Sequence, residues 1–292
     1  MLAWKSPLWA VVTLMAHVAA GDAVGQAPAG EEKTPGFACR GVAGQLGASV
    51  NNLGLQNTIA AAWAKPLSRS SHPLLAGASV SAGVVNVTTP TMTRTGGWVE
   101  YAPLSIFAVR AGVEPVGYFG TFSSLMPFDS YDDSYDEDVL FEKEGTKAGV
   151  GVRSYITPAI QFRAGPLAAR VTADFEHWRS SADGPYFYEA TRDQLLASGG
   201  DELINLTGVA LYEHGLRDGS LSVGLFHGLT RVFAAGGNQS QRLGVIAIRQ
   251  FTMTHFRLPR PSLTAVVYQY LDDPSKKHTW GGAIAIGFQT GR

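Results

Sequence analysis

The sequence has 292 residues, of which 45% are hydrophobic and 16% are charged, well below the roughly 25% charged residues of an average soluble domain. Its net charge of −1 leaves no basic field for nucleic acid, and its single cysteine excludes an intrachain disulfide. The mean hydropathy of +0.03 is too low for a bundle of membrane helices, but it fits a chain that alternates apolar and polar residues.

The first 20 residues are predicted to be a secretory signal peptide. Lys5 supplies a positive charge, residues 7–20 are apolar but too few to cross a bilayer, and Val18-Ala19-Ala20 offers small residues for cleavage. Residues 21–52 mix Gly, Ala, Pro and charge without periodicity, and they are interpreted as a flexible periplasmic segment. This leader predicts export through the Sec route.

The rest of the chain, residues 53–292, is predicted to form strands. Successive side chains of a strand point to opposite faces, so a half-buried strand alternates apolar and polar residues. Eleven segments are interpreted as strands, and their spacing is typical of strands linked by hairpins. They are 53–67, 74–87, 98–101, 106–118, 148–156, 167–178, 203–213, 221–232, 242–251, 262–271 and 279–289.

The clearest alternation is in residues 167–178, LAARVTADFEHW. Leu167, Val171 and Phe175 fall on one face, whereas Arg170 and Asp174 fall on the other. An apolar outer face and a charged inner face are typical of a closed antiparallel up-and-down transmembrane β-barrel. Because single-chain bacterial barrels have even strand numbers, the prediction is about 12 strands, with 10 to 14 allowed. A soluble secreted β-sandwich is the rival fold.

Three of the predicted loops between the strands are long. Residues 119–147 are long, acidic and aromatic, and residues 180–201 form a second long loop whose middle, 190–198, is expected to be a short helix or a strand flap. Residues 88–97, TTPTMTRTGG, are predicted to be a third loop. Outer-membrane barrels keep their long loops outside the cell, which places the first two there.

Six charged side chains are predicted to face the lumen, because they alternate with the apolar residues of neighbouring strands. They support either an eyelet that filters solutes by charge or a salt-bridged plug that keeps a narrow barrel rigid, since small barrels enclose little free space. They are Arg110, Glu114, Arg153, Arg170, Asp174 and Glu176.

The acidic loop is a candidate ligand for Ca²⁺ or Mg²⁺, because both ions prefer carboxylate oxygens. It lacks the glycine and the terminal glutamate spacing of an EF-hand loop, so a solvated loop or a surface contact is the alternative. The residues concerned are Asp129, Asp132, Asp133, Asp136, Glu137 and Asp138.

No catalytic signature is found. A hydroxyl nucleophile needs a base within hydrogen-bond reach, and two residues that share a strand face would read His-x-Ser. His177 and Ser180 are out of phase, as are His227 and Thr230. P-loop, dinucleotide, HExxH and CxxC motifs are also missing, so the sequence predicts no enzyme and no cofactor.

Taken together, the signal peptide, the alternation, the loop asymmetry and the terminal strand WGGAIAIGFQTGR resemble those of bacterial outer-membrane β-barrel proteins. The family usually ends in an aromatic residue, whereas Phe288 here precedes four further residues. The resemblance implies a Gram-negative outer membrane, contact with its lipid and lipopolysaccharide, and folding by the barrel-assembly machinery. It also implies aromatic girdles at the two interfaces. Their candidates are Trp63, Trp98, Tyr101, Trp178, Tyr268 and Trp280.

The resemblance predicts the cellular location of the protein more specifically than its activity. The leading expectation is a small passive pore for small solutes or apolar compounds. A structural or surface-interaction barrel that uses its acidic loop is the second expectation, and a lipid-modifying enzyme is the third.

Overall fold

The chain is described from a computed structural model, which covers residues 38–50, 54–234, 238–252 and 258–290. The predicted signal peptide lies outside this range. Within it, twelve antiparallel strands close into one barrel, and three short strands form a separate sheet. The predicted fold class and the predicted number of strands are confirmed.

The barrel strands follow one another around the wall in chain order, and each pairs with its neighbours in the sequence. They are β1 (Ala38–Val50), β2 (Gly54–Pro66), β3 (Ser79–Thr88), β4 (Met92–Leu104), β5 (Phe107–Phe119), β7 (Ala148–Ala164), β8 (Leu167–Ser180), β11 (Asp201–Leu216), β12 (Gly219–Val232), β13 (Gln239–Phe251), β14 (Ser262–Asp272) and β15 (Trp280–Gln289). The small sheet has the order β10-β9-β6 and consists of β6 (Pro127–Phe128), β9 (Tyr186–Glu189) and β10 (Gln194–Ala197).

The first barrel strand corrects the predicted boundary at residue 53. β1 begins at Ala38, inside the segment interpreted as flexible, and it closes the barrel by pairing with both β2 and β15. Leu46, Ala48 and Val50 face outward and are exposed. Glycine and alanine make up much of this strand, and they give little hydropathic contrast between the two faces, which hid the alternation.

The loops and turns between the barrel strands lie at the two opposite ends of the barrel. Residues 120–147 and 181–200 lie at one end, which we call the mouth, and both described chain ends lie at the other. Outer-membrane barrels carry their long loops outside the cell, so the mouth corresponds to the end that the sequence predicts to be extracellular. The described residues contain one short helix, α1 (Glu137–Glu142), and no helix long and apolar enough to cross a membrane.

Three of the six candidates for the aromatic girdles face outward, and three do not. Trp63, Tyr101 and Trp280 face outward and are 37%, 53% and 63% exposed. The other three candidates, Trp98, Trp178 and Tyr268, are buried on the inner side of the wall, so their assignment to the girdle was wrong. Strand parity explains the difference, because Trp178 shares its face with the inward-facing Glu176 on β8.

Glycines let two of the buried aromatic rings lie flat on the inner wall. A Cβ at Gly83 would come 2.6 Å from Trp98 Cε2, and one at Gly112 would come 2.6 Å from Tyr155 Cζ. Both glycines sit directly opposite their ring in the strand register. The rings therefore fill the lumen in places where a side chain on the opposite strand would push them away.

Candidate functional site: the lumen and the cap

A chain of five buried ionic side chains crosses the inside of the barrel. Arg94 Nε lies 2.8 Å from Glu114 Oε2, and the same oxygen lies 3.1 Å from Arg153 Nη1. Arg153 Nη2 lies 2.7 Å from Glu176 Oε1, and Glu176 also binds Arg192. All five residues are at most 5% exposed, so positive and negative charges alternate along a path that water does not reach.

Strand register places the first four members of this chain. They come from the neighbouring strands β4, β5, β7 and β8, and Glu114 lies directly opposite Arg153. Each charge lost its hydration on folding, and the opposite charges beside it compensate for much of that loss. Trp178 Nε1 adds a hydrogen bond to Glu176 Oε2 at 2.7 Å. The chain is therefore an interdependent unit, in which removal of one member leaves a buried charge without its partner.

The fifth member, Arg192, does not belong to the barrel wall. It lies in the turn between β9 and β10, within the long loop that starts after β8. Its Nε donates a hydrogen bond to Glu176 Oε2 at 2.9 Å. A loop from the mouth thus reaches into the lumen and binds the wall.

The predicted lumen residues are brought together only in part. Glu114, Arg153 and Glu176 belong to the ionic chain, whereas Arg110 pairs with Glu100 on β4. Asp174 accepts hydrogen bonds from the Thr157 hydroxyl at 2.5 Å and from Asn205 Nδ2 at 3.4 Å. Arg170 is half-buried on the same face of β8 as Asp174, four residues further from the mouth.

The two long loops, residues 120–147 and 181–200, form a cap on the mouth. One face of the small sheet contributes Tyr188 and Leu195 to an apolar cluster with Met126, Phe128 and Tyr135 of the other loop. The opposite face contributes Phe187 and Leu196 to a second cluster, which includes barrel residues such as Trp178 and Leu203. The cap therefore has its own core and also packs into the top of the barrel. The strand flap expected within 190–198 is β10 of this sheet.

Polar contacts anchor the cap at several points of the wall. The Tyr118 hydroxyl of β5 donates to Glu189 Oε2 at 2.7 Å, and Lys276 Nζ of the β14–β15 loop lies 2.5 Å from Asp193 Oδ2. The Tyr188 hydroxyl donates to the other oxygen of Asp193 at 2.7 Å. Burial and the neighbouring Asp193 carboxylate raise the pKa of Tyr188 well above its ordinary value.

Sequence reasoning missed Arg94 because it lies within the predicted loop 88–97, most of which belongs to β4. The structure leaves only residues 89–91 between β3 and β4. The signal was present, because Arg94, Trp98 and Glu100 have the same parity and all face inward. Arg192 and Asp193 had no such signal, since a loop has no periodicity that predicts where it folds.

The acidic loop uses two of its carboxylates locally. Asp133 Oδ2 accepts from the backbone N–H groups of Asp129 and Ser130, and Asp136 Oδ1 accepts from Val139 N–H at the start of α1. The described residues contain no group of three or more His, Cys, Asp or Glu side chains arranged to hold a metal ion. The Ca²⁺ or Mg²⁺ site stays a prediction from the sequence.

The histidines considered as bases lie on the outer side of the wall. His177 Nδ1 is 4.0 Å from Glu202 Oε1, and His227 Nε2 is 3.1 Å from Gln241 Nε2. The expectation that the protein is not an enzyme stays a prediction.

The outer surface of the barrel indicates the class of protein to which this architecture belongs. Large aliphatic side chains are exposed around the whole wall, among them Val99, Val150, Ile160 and Leu225 at 59–65%. They touch no second layer of the described chain, which excludes the β-sandwich, and a soluble protein would not leave so continuous an apolar belt in water. The chain has the architecture of a bacterial outer-membrane β-barrel protein. In that architecture the strands cross the bilayer, and the ionic chain lies inside the barrel.

Several solved β-barrel structures are distantly similar to the chain. The chain matches no protein-family model and no curated protein. Solved structures similar to the barrel include the NanC porin, with 11% identity, a TM-score of 0.42 and coverage of 86% of this chain and 99% of that one. The β domain of the Bordetella autotransporter BrkA has 14% identity, a TM-score of 0.44 and coverage of 86% and 99%. The channel DcaP of Acinetobacter baumannii has 10% identity, a TM-score of 0.33 and coverage of 90% and 78%. At these identities the likeness concerns the fold alone.

Proposed function

We propose that the barrel is a passive pore for small solutes, and that the cap holds it closed at rest. The observation that carries the proposal is the contact of Arg192 with Glu176, because it fixes a loop of the mouth to the charged wall inside the lumen. The proposal assigns the protein no catalytic step.

Burial of the side chains on the inner wall supports a closed resting state. Trp178 and Asp174 are 0% exposed, and Arg153 is 1% exposed, although all three face the inside of the barrel. An open aqueous channel would leave such side chains in contact with water. Opening therefore requires that Arg192 and the small sheet leave the top of the lumen.

Charged and apolar side chains both line the lumen. The ionic chain occupies β4 to β8, and Val209, Phe226, Ile246, Val266 and Tyr268 form an apolar cluster on β11 to β14. Such a wall suits small organic solutes that carry a charge, rather than inorganic ions alone.

Uptake of solutes into liposomes tests the proposal. The full barrel is compared with a variant in which residues 182–199 are replaced by a short Gly-Ser linker. We expect slow uptake of small organic acids by the full barrel and fast uptake by the variant. If the variant is folded and admits no solute, the protein is not a pore.

A surface contact is the second candidate function. It is favoured by the exposure of Asp129, Asp132 and Asp138, which lie on the acidic loop away from the anchors of the cap. Replacement of these three residues by Asn should abolish binding of a partner or of divalent ions and leave the cap folded. Unchanged binding would remove this candidate.

A further inference from the structure

Four polar atoms near the mouth end of β13 and β14 are buried and have no hydrogen-bond partner in the described part of the chain. They are Asn238 Nδ2, Ser240 Oγ, Arg242 Nε and Asp273 Oδ2. Asn238, Ser240 and Asp273 are 8%, 1% and 5% exposed. Buried polar groups nearly always have partners in folded proteins, so four orphans in one region point to a missing partner.

Strand geometry brings these four residues to one inward-facing patch, which we call the β13 patch. Asn238, Ser240 and Arg242 alternate along the chain and so share a face, with about 7 Å between successive members. The Asn238 carbonyl accepts from Val232 N–H at 3.2 Å, which continues the β12–β13 ladder to this residue. Asp272 pairs with Gln241, so Asp273 follows at the level of Ser240.

Arg242 differs from the arginines of the ionic chain. Arg94 and Arg153 each contact a carboxylate, whereas Arg242 forms no ion pair within the described residues. Its guanidinium carbon lies 5.8 Å from the Tyr268 ring centroid and 6.0 Å from that of Tyr270. A guanidinium among aromatic rings and without an acid is a preformed site for a carboxylate.

The wall also leaves room for this guanidinium. Gly228 lies directly opposite Arg242 in the strand register, and a Cβ there would come 3.5 Å from Arg242 Nε and 3.0 Å from Phe226 Cζ. The missing side chain thus lets Arg242 lie across β12 beside Phe226, at the edge of the apolar cluster.

We propose that the β13 patch binds a small organic acid that also carries hydroxyl groups. Its carboxylate accepts hydrogen bonds from Arg242 and Ser240, and its hydroxyls donate to Asp273 and accept from the Asn238 amide. A neutral polyol lacks the group that Arg242 requires, and a simple carboxylate leaves Asp273 without a donor. The inference rests on the proposed pore in one respect, since it names the class of solute that the pore admits.

Isothermal titration calorimetry in detergent tests this site on two proteins, the whole folded barrel and the barrel in which a short Gly-Ser linker replaces residues 182–199. Both are used because Tyr135 of the cap contacts Asn238 of the patch. Gluconate is the probe, and sorbitol is its neutral polyol counterpart. The variants are Arg242→Gln, which removes the charge, and Asp273→Asn, which removes the acceptor. Arg231→Gln is the matched control, because Arg231 is exposed and faces outward on the neighbouring strand β12.

We expect gluconate to bind, sorbitol to bind at least about tenfold more weakly, and Arg242→Gln to weaken gluconate binding by about 10- to 100-fold. Asp273→Asn should weaken it by a smaller factor, and Arg231→Gln should leave it unchanged. Failure of gluconate to bind at millimolar concentration, or equal binding by the Arg242→Gln variant, would overturn the proposal. The assay does not depend on conduction, so a barrel that conducts without binding gluconate refutes the β13 patch and leaves the pore intact.

Discussion

Arg192, in the turn of a loop hairpin, donates a hydrogen bond from its Nε to Glu176 Oε2 on the inner wall of the barrel at 2.9 Å. The contact is fully buried, and through Glu176 it joins the loop to two arginines and one glutamate on three other strands. A single side chain thus connects the cap to the ionic chain of the lumen.

Arg192→Ala should increase the fraction of time that the barrel is open. The substitution removes the contact that binds the hairpin to the ionic chain, while Glu176 keeps Arg153 as a partner, so the wall remains intact. Recordings in planar bilayers measure the open probability, which we expect to rise several-fold. Lys147→Ala is the matched control, because Lys147 pairs with Asp183 within the same cap but at its exposed surface. Equal effects of the two substitutions would contradict the assigned role of Arg192.

Glu176→Gln should destabilise the folded barrel strongly. It leaves Arg153 and Arg192 buried with one carboxylate fewer, and breaking a buried ionic network typically costs about 3–5 kcal/mol. Heat-dependent mobility in gels reports the unfolding temperature. Glu100→Gln should lower that temperature much less, because the Glu100 side chain is 16% exposed and binds only Arg110 among the salt bridges of the described residues. Similar shifts for both variants would show that the ionic chain does not act as a unit.

Gly83→Ala should displace Trp98 from the inner wall. A Cβ at residue 83 would lie 2.6 Å from Trp98 Cε2 and 2.5 Å from the Ala61 carbonyl oxygen, so the ring or the backbone must move. Overpacking of this kind typically costs about 1–3 kcal/mol. Near-ultraviolet circular dichroism and the unfolding temperature detect the change. Gly97→Ala, on the lipid-facing side of β4, meets no atom closer than 3.8 Å and should leave both unchanged.

Alkaline pH should release the cap. The raised pKa of Tyr188 means that the folded cap favours the neutral phenol, and the ordinary value of 10.0 applies once the cap unfolds. The stabilising contribution is therefore fully present below pH 10 and is lost as the pH rises through the higher folded pKa. Burial also raises the pKa of the cap residues Tyr131 and Tyr135, so phenolate absorbance should show a late titration whose amplitude Tyr188→Phe reduces by one tyrosine. An unchanged amplitude of the late titration in Tyr188→Phe would contradict the buried Tyr188–Asp193 contact.

The barrel could be predicted from the sequence because lipid and lumen impose opposite demands on alternate residues. Val171 and Phe175 on one face, with Asp174 and Glu176 on the other, are enough to orient β8. The alternation did not reveal β1, because its residues are small. Trp98 and Trp178 were assigned to the girdles although their parity places them on the inner face. The sequence could not predict the position of Arg192 or the β13 patch. The fold of a loop and the absence of a hydrogen-bond partner depend on packing in three dimensions, which the alternation of residues along a strand does not describe.

The central claim is that the cap closes the barrel, and single-channel conductance of a barrel without residues 182–199 tests it most directly. The account predicts a stable open conductance for this variant in planar bilayers, against brief and rare openings for the full chain. A folded variant that stays as silent as the full chain, with its lumen still closed, would contradict the account.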